Sequence, residues 1–360
     1  MTEQNAAPGI TVGTSRACGA VRLTEPVSSR GLDRTSAAAM RAAYAKWAKD
    51  PRIYGTCVTS GASSFYTDSA PRVADIGDVG DPTGECQTLK DLYALIWQLE
   101  VFTKPNVALI DGAVSGLGVG ISAFGTHQVA GQGYRFSLAA AGPIGFPHGG
   151  ACWRMARLAD STGMYLALTG RQIKRADGYR LGLVTHTISA TGFACITAAL
   201  EEADPIDPVL DGLNEAVGPP PIDRFRDVIG HCFEADSVEE IGERLGAVQG
   251  ADRDWAQAVL AELSAKPAIS LKITHRAIQE ARSVDLNAAL AADYWIACRF
   301  LTDEATRRAS IEGIDAHPQH NGLRWQLAAV SGRVLEDYFA PHAADDFTLA
   351  ARPRSPSVLT

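Results

Sequence analysis

Lys104-Pro105-Asn106-Val107-Ala108-Leu109-Ile110-Asp111-Gly112, continued by Ala113-Val114-Ser115-Gly116-Leu117-Gly118-Val119-Gly120, is the stretch on which the fold turns. Asn106 to Ile110 reads as a buried strand, and it runs straight into a turn with Gly112, Gly116, Gly118 and Gly120 inside nine residues. Glycines at a strand end that opens a helix let main-chain N–H groups point into a cleft and let a ligand approach the backbone, which is what stabilising an oxyanion requires. Two further glycine-bearing stretches follow predicted strands: Ser60-Gly61-Ala62-Ser63-Ser64-Phe65 and the turn Gly142-Pro143-Ile144-Gly145-Phe146-Pro147-His148-Gly149-Gly150.

Outward from this stretch, strand and helix alternate. Cys18 to Thr24 is strand-like. Thr35 to Asp50 carries Ala, Met, Tyr and Trp at helical spacing behind the cap candidate Ser36. Tyr54 to Thr59 is a short β-rich run, Gln87 to Phe102 an amphipathic helix, and His127 to Leu138 a second β-rich stretch. Helical patterns follow over Ala151–Leu158, Ser161–Ala176 and Phe193–Ala203, then a break at Pro205, Pro208 and Pro219-Pro220-Pro221. Beyond it lie helical candidates only: Ser237–Leu245, Arg253–Lys266, Ser270–Arg282, Asn287–Thr302 and Asp303–Gly313. This predicts an α/β fold with crossover connections and a mainly helical C-terminal region. The expected divisions are a flexible tail over 1–14, a core over 15–204, a helical region over 205–345 and a second flexible tail over 346–360.

The composition sets outer limits. The 360 residues are 46% hydrophobic and 21% charged, within the globular range, so global disorder, collagen and coiled coil are excluded. A net charge of −8 with no basic block argues against nucleic acid or an anionic membrane surface as partner. The seven cysteines are scattered and never spaced as C-x-x-C, so no disulfide framework or zinc cluster is indicated. The start has no cationic segment followed by an apolar one, and the longest apolar stretch, Val107 to Phe124, is interrupted by Asp111 and six glycines and serines; a cytoplasmic, soluble protein is expected. Dinucleotide fingerprints, phosphate loops, H-E-x-x-H and G-x-S-x-G nucleophile elbows are all missing.

Four groups of residues together resemble the crotonase (enoyl-CoA hydratase/isomerase) superfamily. They are Lys104 to Gly112 with its glycine turn, Phe136 followed by Phe146-Pro147, Leu166-Ala167-Leu168-Thr169-Gly170, and Gly182-Leu183-Val184-Thr185-His186. Ser237-Val238-Glu239-Glu240-Ile241 and Ser270-Leu271-Lys272-Ile273-Thr274 make it most similar to the 3-hydroxyisobutyryl-CoA hydrolase branch, from about Gly19 to Phe339. The resemblance implies a spiral of ββα units that binds an acyl-CoA thioester, with coenzyme A as part of the substrate and no separate cofactor. It also implies self-association as a trimer or a multiple of one. Two main-chain donors would meet the thioester oxygen: the N–H of Ser69, in Phe65-Tyr66-Thr67-Asp68-Ser69-Ala70, and the N–H of Leu117, flanked by Gly116 and Gly118.

By the resemblance three acidic positions are changed: Gly120 stands where the hydratases place a glutamate, a loss ordinary for the hydrolase branch; Ala140 stands where both branches place one, which removes the usual acid/base; and His148 stands where the hydrolases place an aspartate. His148 is then the candidate replacement, a neutral imidazole that could activate water just before a helix start. Tyr66 and Asp68 lie beside the first donor, and Arg30, Arg34, Lys104, Lys272 and Arg276 are candidates for the CoA phosphates. The other histidines lack metal-ligand spacing and read as structural or exposed. Three functions stay open: hydrolysis of a short or branched acyl-CoA, binding of CoA esters without turnover, and hydratase or isomerase chemistry with an acid relocated to Asp68 or Asp75.

Overall fold

The computed structural model describes residues 2–7, 9–24, 31–61, 63–67, 82–138, 144–302, 327–328, 330–340 and 347–349. The strands are β1 (Thr2–Ala7), β2 (Ile10–Ser15), β3 (Cys18–Leu23), β4 (Gly55–Ser60), β5 (Asn106–Ile110), β6 (Ala113–Val114), β7 (His127–Ala130), β8 (Arg135–Phe136), β9 (Ile173–Lys174) and β10 (His186–Thr187). The helices of the N-terminal part are α1 (Arg34–Lys49), α2 (Pro82–Glu100), α3 (Leu117–Ala123), α4 (Ala151–Met155), α5 (Thr162–Thr169), α6 (Arg175–Arg180) and α7 (Phe193–Glu202). Those that follow are α8 (Ile206–Leu213), α9 (Arg226–Phe233), α10 (Val238–Ala247), α11 (Arg253–Ser264), α12 (Ala268–Ala281), α13 (Leu286–Thr302) and α14 (Gly332–Phe339).

Seven strands form one sheet in the order β1-β2-β3-β4-β5-β7-β10, antiparallel at the β1–β2–β3 end and parallel from β3 to β10. Parallel neighbours need crossovers, and α1 and α2 supply them between β3, β4 and β5. All five residues of β5 are buried, as expected of a central strand covered on both faces. Alternate residues go to opposite sides. Cys57, Val107, Leu109 and Val129 pack on Ile196 and Leu200 of α7 and on Ile206 and Leu210 of α8. Val58, Ala108, Ile110 and Ala130 join the larger core with Met40, Tyr44, Leu95 and Ile96. A second small sheet, β6-β8-β9, stands beside the glycine turn.

The expected tail over 1–14 is corrected: it supplies β1 and β2, and β2 pairs along its length with β3 (Ile10↔Leu23 to Ser15↔Cys18). Ile10 and Val12 alternate inward, 2% and 6% exposed, and burying them holds the strand on the sheet. In α1 the cap is Asp33, whose carboxylate accepts the Ser36 N–H at 2.7 Å, so Ser36 is inside the helix. The second β-rich stretch splits at Gly131–Gly133 into β7 and β8, which belong to different sheets. The larger core takes in residues on both sides of the boundary expected at 204/205, among them Phe146, Leu271, Leu290 and Phe300. Phe347, in the second expected tail, is buried against Tyr93 and Tyr294. The candidate Asp303–Gly313 lies outside the described residues.

Candidate active site

Gly116 opens α3 with φ 56° and ψ −135°, a conformation that disfavours any side chain. Leu117 is thereby the first helical residue, in the turn whose N–H groups have no i−4 carbonyl of the helix itself to bond. Leu117 is buried at 7% exposure. The wall behind this helix is close: a Cβ at position 118 would run into the Tyr66 carbonyl. Tyr66 itself is fully buried, its hydroxyl accepts the Leu32 N–H at 2.8 Å and its carbonyl accepts the Ser115 N–H at 3.0 Å, so it braces the turn from inside.

The second glycine turn lies directly on the first. Gly149 and Gly150 both have positive φ, 66° and 82°, and a Cβ on Gly149 would come within 2.6 Å of Leu117 Cδ2. The Gly149 carbonyl covers Gly120: a Cβ there would come within 2.9 Å of that oxygen and run into Ile96. A side chain at position 120 would therefore meet the backbone that follows His148.

His148 itself is partly exposed, its ring set between Tyr93 (centroids 5.9 Å apart) and Phe146 (5.8 Å). Its Nδ1 lies 2.7 Å from the Tyr93 hydroxyl, and among the described residues no group hydrogen-bonds its Nε2. Part of the ring's edge is open, yet the protein packed around it pushes the pKa down to about 4, and the imidazole is neutral at pH 7. Burial also holds the Tyr93 hydroxyl well above the ordinary tyrosine value, so it remains a phenol.

One functional candidate was not singled out from sequence. Asp293 of α13 is 4% exposed and accepts the Gly150 N–H at 2.8 Å, tying the C-terminal helices to the His148 turn. Burial raises its pKa to about 7, against the opposing pull of the Gly150 and Gly149 N–H groups. A cleft of about 70 Å³ reaches it, lined by Cys152, Trp153, Ala281 and Ala289 among others. The signal in sequence is a single acid inside the 17-residue apolar helix Leu286–Thr302.

Of the phosphate candidates, Arg34 is exposed and pairs with Asp91 at 2.9 Å. Lys272 pairs with Glu239 at 2.8 Å, and Arg276 pairs with Glu280 and Glu336 while stacking over Phe339. Lys104 donates to the carbonyls of Trp47, Asp50 and Ile53 at 2.7, 2.6 and 2.8 Å, so it finishes α1 instead. Asp111 accepts the Gly133 N–H at 2.6 Å, a turn carboxylate. His127 and His186 face Asp207 and Asp211 of α8 at 2.8 and 3.3 Å. Among the described residues no cluster of three or more His, Cys, Asp or Glu could hold a metal, and no helix is long and apolar enough to cross a membrane. Arg30, Asp68, Ser69, Asp75 and Ala140 lie outside the described residues.

Against known proteins, the family model described as enoyl-CoA hydratase/isomerase matches residues 18–339. The chain is 28% identical to a protein of Xenopus tropicalis named 3-hydroxyisobutyryl-CoA hydrolase, mitochondrial, over 97% of this chain and 93% of that one. It is 27% identical to the small ribosomal subunit protein mS47 of Arabidopsis thaliana, over 89% and 81%. A carnitinyl-CoA dehydratase from Mycobacterium thermoresistibile shares the fold, with a TM-score of 0.79 at 22% identity, covering 94% of this chain and 98% of that one.

Proposed function

The chain belongs to the enoyl-CoA hydratase/isomerase family, and from its site we propose that it hydrolyses a short or branched acyl-CoA thioester of the 3-hydroxyisobutyryl-CoA kind. The observation that carries the reading is the seating of His148, a neutral imidazole whose Nε2 no group hydrogen-bonds among the described residues, on a turn packed against Leu117. Water bonds to the thioester carbon, the C–S bond breaks, and the sulfur leaves with its electron pair and the proton that water gives up. The products are a carboxylic acid and free CoA thiol. The Leu117 N–H, with that of Ser69, stabilises the charge that develops on the carbonyl oxygen. His148 stands at the same carbonyl in place of the family's carboxylate. The protein's branch-level relatives, named as hydrolases, support the substrate class. Self-association as a trimer belongs to the same proposal, and light scattering tests it.

The test is release of free thiol from a panel of acyl-CoA thioesters. Turnover by the wild type is expected, with His148→Ala slower by roughly 10²-fold or more. Equal rates for the two proteins remove His148 from the chemistry. A second reading, binding without turnover, is favoured by the closure of the Gly120 space and by the lack of any carboxylate touching His148 among the described residues. It prevails if no ester is turned over while CoA esters raise the melting temperature. The relocated acids of the third possibility, Asp68 and Asp75, lie outside the described residues.

A further inference from the structure

The Tyr93–His148 contact has a direction. Among the described residues, His148 Nδ1 is the acceptor within hydrogen-bond distance of the Tyr93 hydroxyl, at 2.7 Å. A phenol has one proton to give. If it is given to Nδ1, the phenol's one donor and the ring's one acceptor pair with each other. If Nδ1 carried the proton and donated to the phenol, the phenol's own O–H would be left without an acceptor among the described residues. Tyr93 is fully buried, so that donor would be stranded away from water. The first arrangement is therefore the resting one.

We infer that Tyr93 is a positioning residue that holds His148 in one tautomer: its O–H donates to Nδ1, the ring proton stays on Nε2, and the imidazole meets its ligand as a hydrogen-bond donor and not as a base. This replaces the water-activating role expected from sequence. It rests on the proposed placement of His148 at the thioester carbonyl, where Nε2–H would add a side-chain donor to the main-chain one at Leu117. A neutral histidine that polarises a carbonyl is a known catalytic device. Both partners stay uncharged around pH 7, because burial keeps the imidazole deprotonated and the phenol protonated.

The experiment is nitrogen NMR on the full chain with labelled histidine at pH 7, the His148 signal being identified by its disappearance in His148→Asn. The expected result is Nδ1 at the position of an unprotonated, hydrogen-bonded nitrogen and Nε2 at that of a protonated one, with a one-bond N–H coupling on Nε2 alone. In Tyr93→Phe the two signals are expected to move toward the averaged positions of freely exchanging tautomers. A wild-type His148 protonated on Nδ1 overturns the inference, and so does a folded Tyr93→Phe with the wild-type pattern. If Tyr93→Phe does not fold, the wild-type spectrum alone decides. The outcome is separate from thiol release: loss of the hydrolase reading leaves the tautomer as measured, and an Nδ1–H spectrum beside a slow His148→Ala removes only the tautomer.

Discussion

Gly120 and the pair His148 and Asp293 show how single residues set the chemistry. A glutamate at 120 could not be seated without a shift of its surroundings, since its Cβ would already meet Ile96 and the Gly149 carbonyl. Gly120→Ala is expected to cost about 1–3 kcal/mol by overpacking, and Gly120→Glu more, with no gain in thiol release. Urea unfolding with a parallel activity assay checks this, and an active, stable Gly120→Glu refutes the packing argument. The two buried titratable groups act on stability in opposite directions. Asp293, raised from an ordinary 3.8 to about 7, keeps a proton in the folded state that the unfolded chain has released, so its contribution is full below about 4 and is lost as pH rises to about 7. His148, lowered from 6.5 to about 4, lacks a proton that the unfolded chain takes up, so its contribution is lost as pH falls from about 6.5 to about 4. Relative to wild type, Asp293→Asn should gain stability as pH rises from 4 to 7, and His148→Asn should lose it. Unfolding midpoints at a series of pH values read both, and parallel profiles for the two variants would contradict the assignment.

At the scale of elements, Lys104 joins α1 to the strand that follows it. Its ammonium gathers three carbonyls at and just beyond the end of that helix, a charge-assisted set. Lys104→Met is expected to cost about 1–3 kcal/mol while leaving the affinity for CoA esters unchanged. Thermal unfolding and ester titration separate the two, and a weaker affinity at unchanged stability would return Lys104 to the ligand. Much at this scale was legible in sequence. The strand Asn106–Ile110 was readable to the residue because five apolar-compatible positions lie between Pro105 and Asp111-Gly112. The start of α2 was placed five residues late, at Gln87 for Pro82, because a proline fits a first helical position and Thr83-Gly84 carry no periodic signal. The β1–β2 hairpin was missed because the inward pair Ile10 and Val12 is diluted by small and polar neighbours. The glycine turns and His148 could be found from spacing. Tyr93 and Asp293 could not, because their roles depend on contacts across 55 and 143 residues that no local pattern encodes.

Across the whole molecule, the spiral and the helices after it share one core. Phe146 stacks on Phe300 at 5.9 Å, and the Trp153 indole and Arg157 guanidinium donate to carbonyls at Ala281 and Val284. A chain ended at residue 204 is therefore expected to lose its cooperative unfolding transition and to expose the apolar side of the His148 turn. A sharp melting transition in that fragment would show instead that the first part stands alone. The Asp293–Gly150 bond also imposes a timetable. During synthesis, a chain paused anywhere before α13 has emerged already holds Leu117, Tyr93 and His148, yet the anchor of the turn is still to be made. The proposed site is complete only once α13 has left the ribosome and closed over what was built first.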